Sequence, residues 1–445
     1  MFKISRPWIV TAVIVCLVGG YTLWDWNRLF PAKPVDEVIP ADDATWDDLP
    51  PAEPGEDDWP WWRGPTLDGV ASPSQTPPIK WSEKENVIWK ADVPGRGHGS
   101  PCIWGERIFL ASADEEAEIQ SLLCYDRNSG RKLWQVEIHR GGFMHRHGKN
   151  SHASATPACD GQLVFIAFMV KDAIWLTAVD FEGEIAWQTE SGTFTSKHGY
   201  GASPLLYKSL VIVVGDNGRT GFLAAVHRQT GKVAWRIRRE NRASFASPIV
   251  AHVAGRDQLL ITGPNRVTSY DPNSGKRIWY CDGPTTVAAA TIVADDELVF
   301  ATAGYPRKVF MAIRADGSGD VTDTHVVWKN KKGAAYAPSP LLSDGLLYVL
   351  NDGGRLTCVE ADSGEIIYKE QLDGGFSSSP VLVGQEIYAV NEDGVTYVFQ
   401  AGRKFKLLAT NDLADGGFAT PAICAGRIYL RTLHHLYCIG TPRQK

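Results

Sequence analysis

Ser100-Pro-Cys-Ile-Trp-Gly-Glu-Arg-Ile-Phe-Leu-Ala111, followed by Leu122-Leu-Cys-Tyr-Asp-Arg-Asn-Ser-Gly-Arg-Lys-Leu-Trp-Gln-Val136, contains one complete structural unit of this chain. Pro101 to Gly105 reads as a short apolar strand ending at a turn glycine. Arg107 to Ala111, Leu122 to Asp126 and Lys132 to Val136 read as three more. Each run is rich in β-formers and bounded by Gly, Asp or Asn, the pattern of antiparallel strands joined by tight turns. The opening dipeptide returns at Thr156-Pro157, Ser203-Pro204, Ser247-Pro248, Ser339-Pro340, Ser379-Pro380 and Thr420-Pro421. The 92-residue gap between the fourth and fifth copies holds Ala289-Ala-Thr-Ile-Val293, a degenerate copy without proline. Counting it gives eight repeats spaced 40 to 56 residues apart, a period that signals repeat architecture.

The third turn repeats as well. Asp126, Gly130 and Trp134 return as Asp271, Gly275 and Trp279, and with variation as Asp180, Gly183 and Trp187, as His227, Gly231 and Trp235, and as Glu360, Gly364 and Tyr368. Trp89 and Trp328 belong to the same set of outer-strand aromatics. Glycine supplies the positive φ of the turn, the acidic residue accepts from turn amides, and the aromatic reaches the neighbouring unit. Four strands in each of eight repeats specify an all-β protein, an eight-bladed β-propeller of four-stranded antiparallel blades. The last repeat stops after its third strand, Leu436 to Ile439. Val87 to Ala91 is an outer strand with no repeat before it. The N-terminal strand is therefore expected to complete the last blade and to remove both exposed edges.

Five regions follow in chain order. Residues 1–30 hold Trp8 to Trp24, about 17 uncharged residues near the lower limit for a spanning helix, with Lys3 and Arg6 before them and acidic residues after. Basic residues on the N-terminal side place that end in the cytoplasm. The expectation is a single-pass helix in the inner membrane with the propeller facing the periplasm; a cleaved signal peptide and a lipid on Cys16 are the alternatives. Residues 31–58 form an acidic, proline-rich linker with ten carboxylates against Lys33, hence −9. Such a segment is expected to stay solvated and extended. The whole chain carries −6, so the remainder is near neutral and offers no nucleic-acid surface. Residues 59–85, opening Trp59-Pro-Trp-Trp-Arg-Gly-Pro65, read as a strap across one face of the ring. Residues 86–440 are the propeller, and 441–445 a short tail.

The seven propeller cysteines include no Cys-x-x-Cys and read as small buried apolar residues. Functional chemistry is expected where the inner strands begin, around a central funnel. Arg96, His98, His152, His198, Tyr200 and Arg242 precede the recurrent dipeptides, with Phe245, Tyr336 and Phe418 in later blades. The first blade carries an insertion, His139 to His152, that brings His145 and His147. Such a funnel suits an anionic or quinone ligand, a metal, or simply histidines bonded to loop carbonyls.

The repeats ending in tryptophan, such as Tyr125-Asp-Arg-Asn-Ser-Gly-Arg-Lys-Leu-Trp134 and Tyr270-Asp-Pro-Asn-Ser-Gly-Lys-Arg-Ile-Trp279, resemble the pyrroloquinoline-quinone-like (PQQ-like) repeats of eight-bladed propellers. With Trp61-Trp-Arg-Gly-Pro65, Asn150-Ser-His-Ala-Ser-Ala-Thr-Pro157 and His198-Gly-Tyr-Gly-Ala-Ser-Pro204, the chain is similar to the exported, BamB-like bacterial subgroup. That resemblance implies a scaffold without cofactor that binds another envelope protein in outer-membrane protein assembly. The other class on this fold, the quinoprotein alcohol or sugar dehydrogenases, holds PQQ and calcium in the funnel. The chain lacks the adjacent cysteine pair of such alcohol dehydrogenases and a fused haem domain. Asp216-Asn217 and Asn351-Asp352 read as turn residues rather than calcium ligands. A small-ligand sensor is a third reading.

Overall fold

The computed structural model describes residues 36–40 and 48–441, apart from the side chain of Pro40; the expected membrane span at 1–30 lies outside them. The described residues form no helix, so none is long and apolar enough to cross a membrane. They form eight antiparallel four-stranded sheets, some extended by an added strand. Numbered in chain order, blades 1 to 8 have as innermost strands Cys102–Trp104, Ala158–Cys159, Leu205–Tyr207, Ile249–Val253, Val293–Ala294, Leu341–Ser343, Val381–Val383 and Ala422–Cys424. The degenerate repeat is thus blade 5. Blade 1 continues with Arg107–Asp114, Ile119–Asp126 and Lys132–Arg140. Its last strand takes in His139 and Arg140, so the insertion begins two residues later than the sequence suggests.

The ring closes as expected. Val87–Asp92 pairs antiparallel with His435–Ile439 and supplies the outer strand of blade 8. Two devices hold neighbouring blades together. One belongs to the Ser/Thr-Pro dipeptides. The N–H of Ser100 donates to Thr156 Oγ1 at 2.9 Å, that of Thr156 to Ser203 Oγ at 3.0 Å, and that of Ser203 to Ser247 Oγ at 2.9 Å. The chain of bonds resumes from Thr291 through Ser339 and Ser379 to Thr420. Proline follows each hydroxyl except Thr291, starting an inner strand where no N–H is needed. Thr291 donates its N–H without a following proline, while its own hydroxyl accepts from Trp62 Nε1.

The other device is the outer tryptophan. Trp89, Trp134, Trp187 and Trp328 donate Nε1–H to carbonyls of the next blade, at Arg127, Phe181, Arg228 and Ala361, over 2.7 to 3.1 Å. Their rings, and that of Trp235, cover Gly130, Gly183, Gly231, Gly364 and Gly275, whose φ values lie between +70° and +95°. Asp126 and Asp271 accept from turn amides, as expected. Trp279 departs from the pattern: fully buried, it donates to Gln258 of its own blade at 2.7 Å. The seven described cysteines are buried and unpaired.

The strap crosses the ring. Trp59 exchanges two backbone bonds with Ile103 of blade 1, and Pro60 accepts from Cys159 N of blade 2. Trp62 Nε1 donates to Thr291 of blade 5 and Arg63 Nη2 to the Pro340 carbonyl of blade 6. Val70–Ala71 then pairs parallel with the inner strand of blade 7. Arg63 is 1 % exposed, and burial lowers its pKa to about 10. The strap meets the ring at turns such as Gly105 and Gly426, which lie at the opposite end of the strands from the connectors that precede the inner strands. It therefore seals the channel from that end.

The acidic linker does not behave as the composition suggests. Val38–Pro40 adds a fifth, antiparallel strand to blade 3 outside Val233–Arg238. Asp36 is anchored by Arg277 at 2.5 Å and accepts from the Tyr270 hydroxyl at 2.6 Å. Asp58 is buried, its carboxylate accepting from Gly55 N and Gly105 N. Paired edges and matched charges outweigh the self-repulsion of the stretch in these places.

Candidate functional site

At the end away from the strap is a funnel of about 420 Å³ with Trp62 for a floor. The hydroxyls of Thr156, Ser203, Ser247, Thr291 and Thr420 surround it, and His98, His198, Phe245, Tyr336 and Phe418 form its wall. The residue two before each dipeptide supplies several of these positions, because the chain turns inward there to begin an inner strand.

The structure brings His98, His147 and His198 to the cavity and leaves four of the expected residues, Arg96, His152, Tyr200 and Arg242, outside its lining. His152 points away. Its ring stacks on Phe143 with centroids 4.0 Å apart, and its Nε2 lies 2.9 Å from the Met144 carbonyl. Tyr200 is buried behind the wall against Phe194, where burial raises its pKa. Arg242 is exposed on the connector outside the mouth. His145 contacts the Lys197 carbonyl at 3.1 Å. The sequence places these residues near the mouth but not their rotation about the chain, which local packing decides.

His98 stacks on Phe418 at 4.4 Å, with Arg96 Nε directed at its Nε2 over 3.4 Å. Burial, then the charges of Arg96, Arg431 and Arg146, lower its pKa to about 3, so the ring is neutral at physiological pH. Arg431 is 1 % exposed, donates to the Ala111 carbonyl, and has its own pKa lowered to about 10 by burial.

Two carboxylates line the opposite side. Asp352 accepts from Tyr336 N and Ala337 N at 3.1 Å each. Glu392 accepts from Ser377 at 2.7 Å and meets Lys149 Nζ at 2.8 Å. Lys149 belongs to the insertion, whose His147 and Asn150 donate to the His198 carbonyl, so the Lys149 side chain spans the mouth to blade 7. Arg146 to Glu115, at 2.5 Å, and Asn150 to the His198 carbonyl, at 2.7 Å, fix the insertion's other contacts. Glu392 carried no sequence signal, its partner lying 243 residues away, and the sequence put Trp62 in the strap but not in the funnel, its partner lying 229 residues away. Asn217 and Asn351 are turn residues as expected, their side chains accepting from following amides. Asp216 is more than that: it forms a buried ion pair with Arg239 at 2.6 Å. Among the described residues no group of three or more His, Cys, Asp or Glu is placed to hold a metal ion.

A family model described as outer membrane protein assembly factor BamB matches residues 118–337 and 317–404, more than half the chain. The chain belongs to this family. BamB of Yersinia pestis is 20 % identical over 365 residues, covering 80 % of this chain and 78 % of that one. BamB of Legionella pneumophila (strain Paris) is 25 % identical over 202 residues, 44 % of this chain and about half (49 %) of that one. The crystal structure of BamB from Moraxella catarrhalis superposes with a TM-score of 0.58 at 13 % identity, over 81 % of this chain and 98 % of that one. Quinohemoprotein alcohol dehydrogenase from Comamonas testosteroni gives 0.60 at 11 %, over 87 % and 81 %. At such identities the structural likenesses bear on fold alone.

Proposed function

We propose that this BamB-family propeller is a scaffold of the cell envelope. Its N-terminal segment tethers it to the inner membrane, the ring faces the periplasm, and it binds another envelope protein during outer-membrane protein assembly. The observation that carries this reading is the Lys149–Glu392 pair. It lays the Lys149 side chain across the funnel mouth while the strap seals the other end, which favours the outside of the ring as the surface for recognition. In support of a funnel without PQQ or calcium, both carboxylates there are already committed, Asp352 to two backbone amides and Glu392 to Ser377 and Lys149. Carboxylates so committed do not fit a calcium-bound quinone.

Removal of the protein is expected to lower the amount of heat-modifiable β-barrel proteins in the outer membrane, with full-length protein restoring it. An unchanged barrel content would sink the scaffold reading. PQQ with calcium is expected to leave the melting temperature of the full chain unmoved; a saturable rise with alcohol-dependent dye reduction would install the dehydrogenase reading instead.

A further inference from the structure

The face that carries the funnel mouth is electrically divided. Arg219, Arg242, Arg307, Lys308, Lys331 and Lys332 are all exposed. They lie on connectors 216–221, 239–248, 304–308 and 331–340 of blades 3 to 5, the same connectors that send Phe245 and Tyr336 into the funnel. These connectors touch in series. Phe245 N donates to the Ala288 carbonyl, Val287 N to the Tyr305 carbonyl, and a Cβ on Gly304 would lie 2.4 Å from that of Tyr336. Among the described residues none of the six cations has an acidic partner. The nearby acids are engaged elsewhere, Asp216 with Arg239 and both Glu240 and Asp282 with Arg266. Tyr305, 65 % exposed, stands in the middle of this arc. Blades 6 to 8 are mainly acidic on the same face, with Asp373, Asp393, Asp412 and Asp92 exposed against Arg355.

The position where the chain joins the ring decides what the basic arc meets. Asp36 N donates to the Arg238 carbonyl, at the funnel-face end of the outer strand of blade 3. Asp36, the first described residue on the ring, therefore lies beside the arc. Twelve positions separate Asp36 from Trp24, the end of the apolar stretch, a span of at most about 40 Å.

We infer that the basic arc of blades 3 to 5 rests on an anionic lipid surface, Tyr305 at the headgroup level, with the acidic arc turned away. The inference rests on the tether proposed above. Clustered Lys and Arg next to a membrane segment are drawn to anionic headgroups within a Debye length, about 8 Å at physiological salt. An exposed tyrosine among them suits the interface, its ring in the apolar margin and its hydroxyl in water.

The full chain, with an environment-sensitive fluorescent amino acid in place of Tyr305 or of Asn128 on the opposite face, is reconstituted with vesicles. These are phosphatidylcholine alone or mixed with phosphatidylglycerol, each containing a lipid with a nitroxide headgroup. Quenching at 305 is expected to exceed that at 128 by at least about twofold on the anionic vesicles, and to fade near 0.5 M salt as screening shortens the Debye length. The substitutions Arg307→Glu, Lys308→Glu, Lys331→Glu and Lys332→Glu, made together, should abolish the difference while the protein still floats with the vesicles. Flotation with equal quenching at 305 and 128 would overturn the inference and leave the tether standing. Failure to float with anionic vesicles would remove both. A response at 305 to soluble polyglutamate but not to vesicles would assign the arc to an acidic protein and overturn the membrane assignment.

Discussion

At the scale of single residues, the turn glycines combine two constraints that can be separated. Gly231 has φ +71°, and a Cβ there would stand 2.8 Å from the Trp187 ring. Gly255 has φ +73° and nothing within 4 Å. Both would strain an L side chain to the same degree, by roughly 1 kcal/mol or more. Only Gly231→Ala would also push the tryptophan off its seat and lengthen its 2.9 Å bond to the Arg228 carbonyl. Denaturant titration should therefore show Gly231→Ala losing about 1 to 3 kcal/mol more than Gly255→Ala, the range for overpacking a filled contact. Equal losses would mean that conformation alone selects the glycine and that the tryptophan contact contributes little. The repeat was legible at this scale because one residue type performs the same operation in several blades.

At the scale of elements, legibility divides by length and by distance. The outer three strands of each blade, five to nine residues long, showed their periodicity, and the mostly shorter inner strands were marked by the dipeptide before them. Val38–Pro40, Val70–Ala71 and Gly319–Asp320, which extend three blades, are two or three residues long and carry no pattern. They form because an edge already exists to receive them. The histidines of the funnel were legible as a group but not individually, since His152 turns toward Phe143 and the reach of Lys149 depends on Glu392 far along the chain. Burial of His98, followed by the charge of Arg96, sets the acid response, and the insertion adds a smaller part. It brings Arg146 toward His98, which Arg96 on its own strand end, Arg431 of blade 8 and the Phe418 ring face from other directions. With its folded pKa near 3 and an unfolded value of about 6.5, His98 binds fewer protons in the folded state between those limits. Its contribution is thus complete above pH 6.5 and lost as the pH falls toward 3. His139, lowered to about 4 by burial, acts in the same direction. Melting temperatures followed from pH 7 to pH 4 should fall less steeply for His98→Gln than for the parent. Parallel curves would contradict the burial assigned to that ring.

At the scale of the whole molecule, each blade depends on the next, so a ring has no terminal unit and tolerates no gap. The closing contact is Val87–Asp92 on His435–Ile439. From the same strand, Trp89 crosses to blade 1, covering Gly130 and donating to the Arg127 carbonyl at 3.1 Å. Deleting residues 86–93 therefore removes the outer strand of blade 8 and the tryptophan link between blades 8 and 1 at once. Loss of a fully buried large aromatic costs roughly 3 to 5 kcal/mol, an upper bound for the half-buried Trp89. The deletion also leaves the N–H and C=O groups of His435–Ile439 unpaired, and an open edge is a template for pairing with another chain. The ring should not simply spring open, because the strap still ties blades 1 and 2 to blades 5, 6 and 7 through Ile103, Cys159, Thr291, Pro340 and Leu382. The expected product is a ring that melts at lower temperature and self-associates through its exposed edge as concentration rises, both readable by calorimetry and sedimentation velocity. A synthetic peptide of residues 86–93 should restore the monomer by refilling the edge. A deleted protein that stays monomeric and melts at the parent temperature would show that the strap, rather than the clasp, closes the ring.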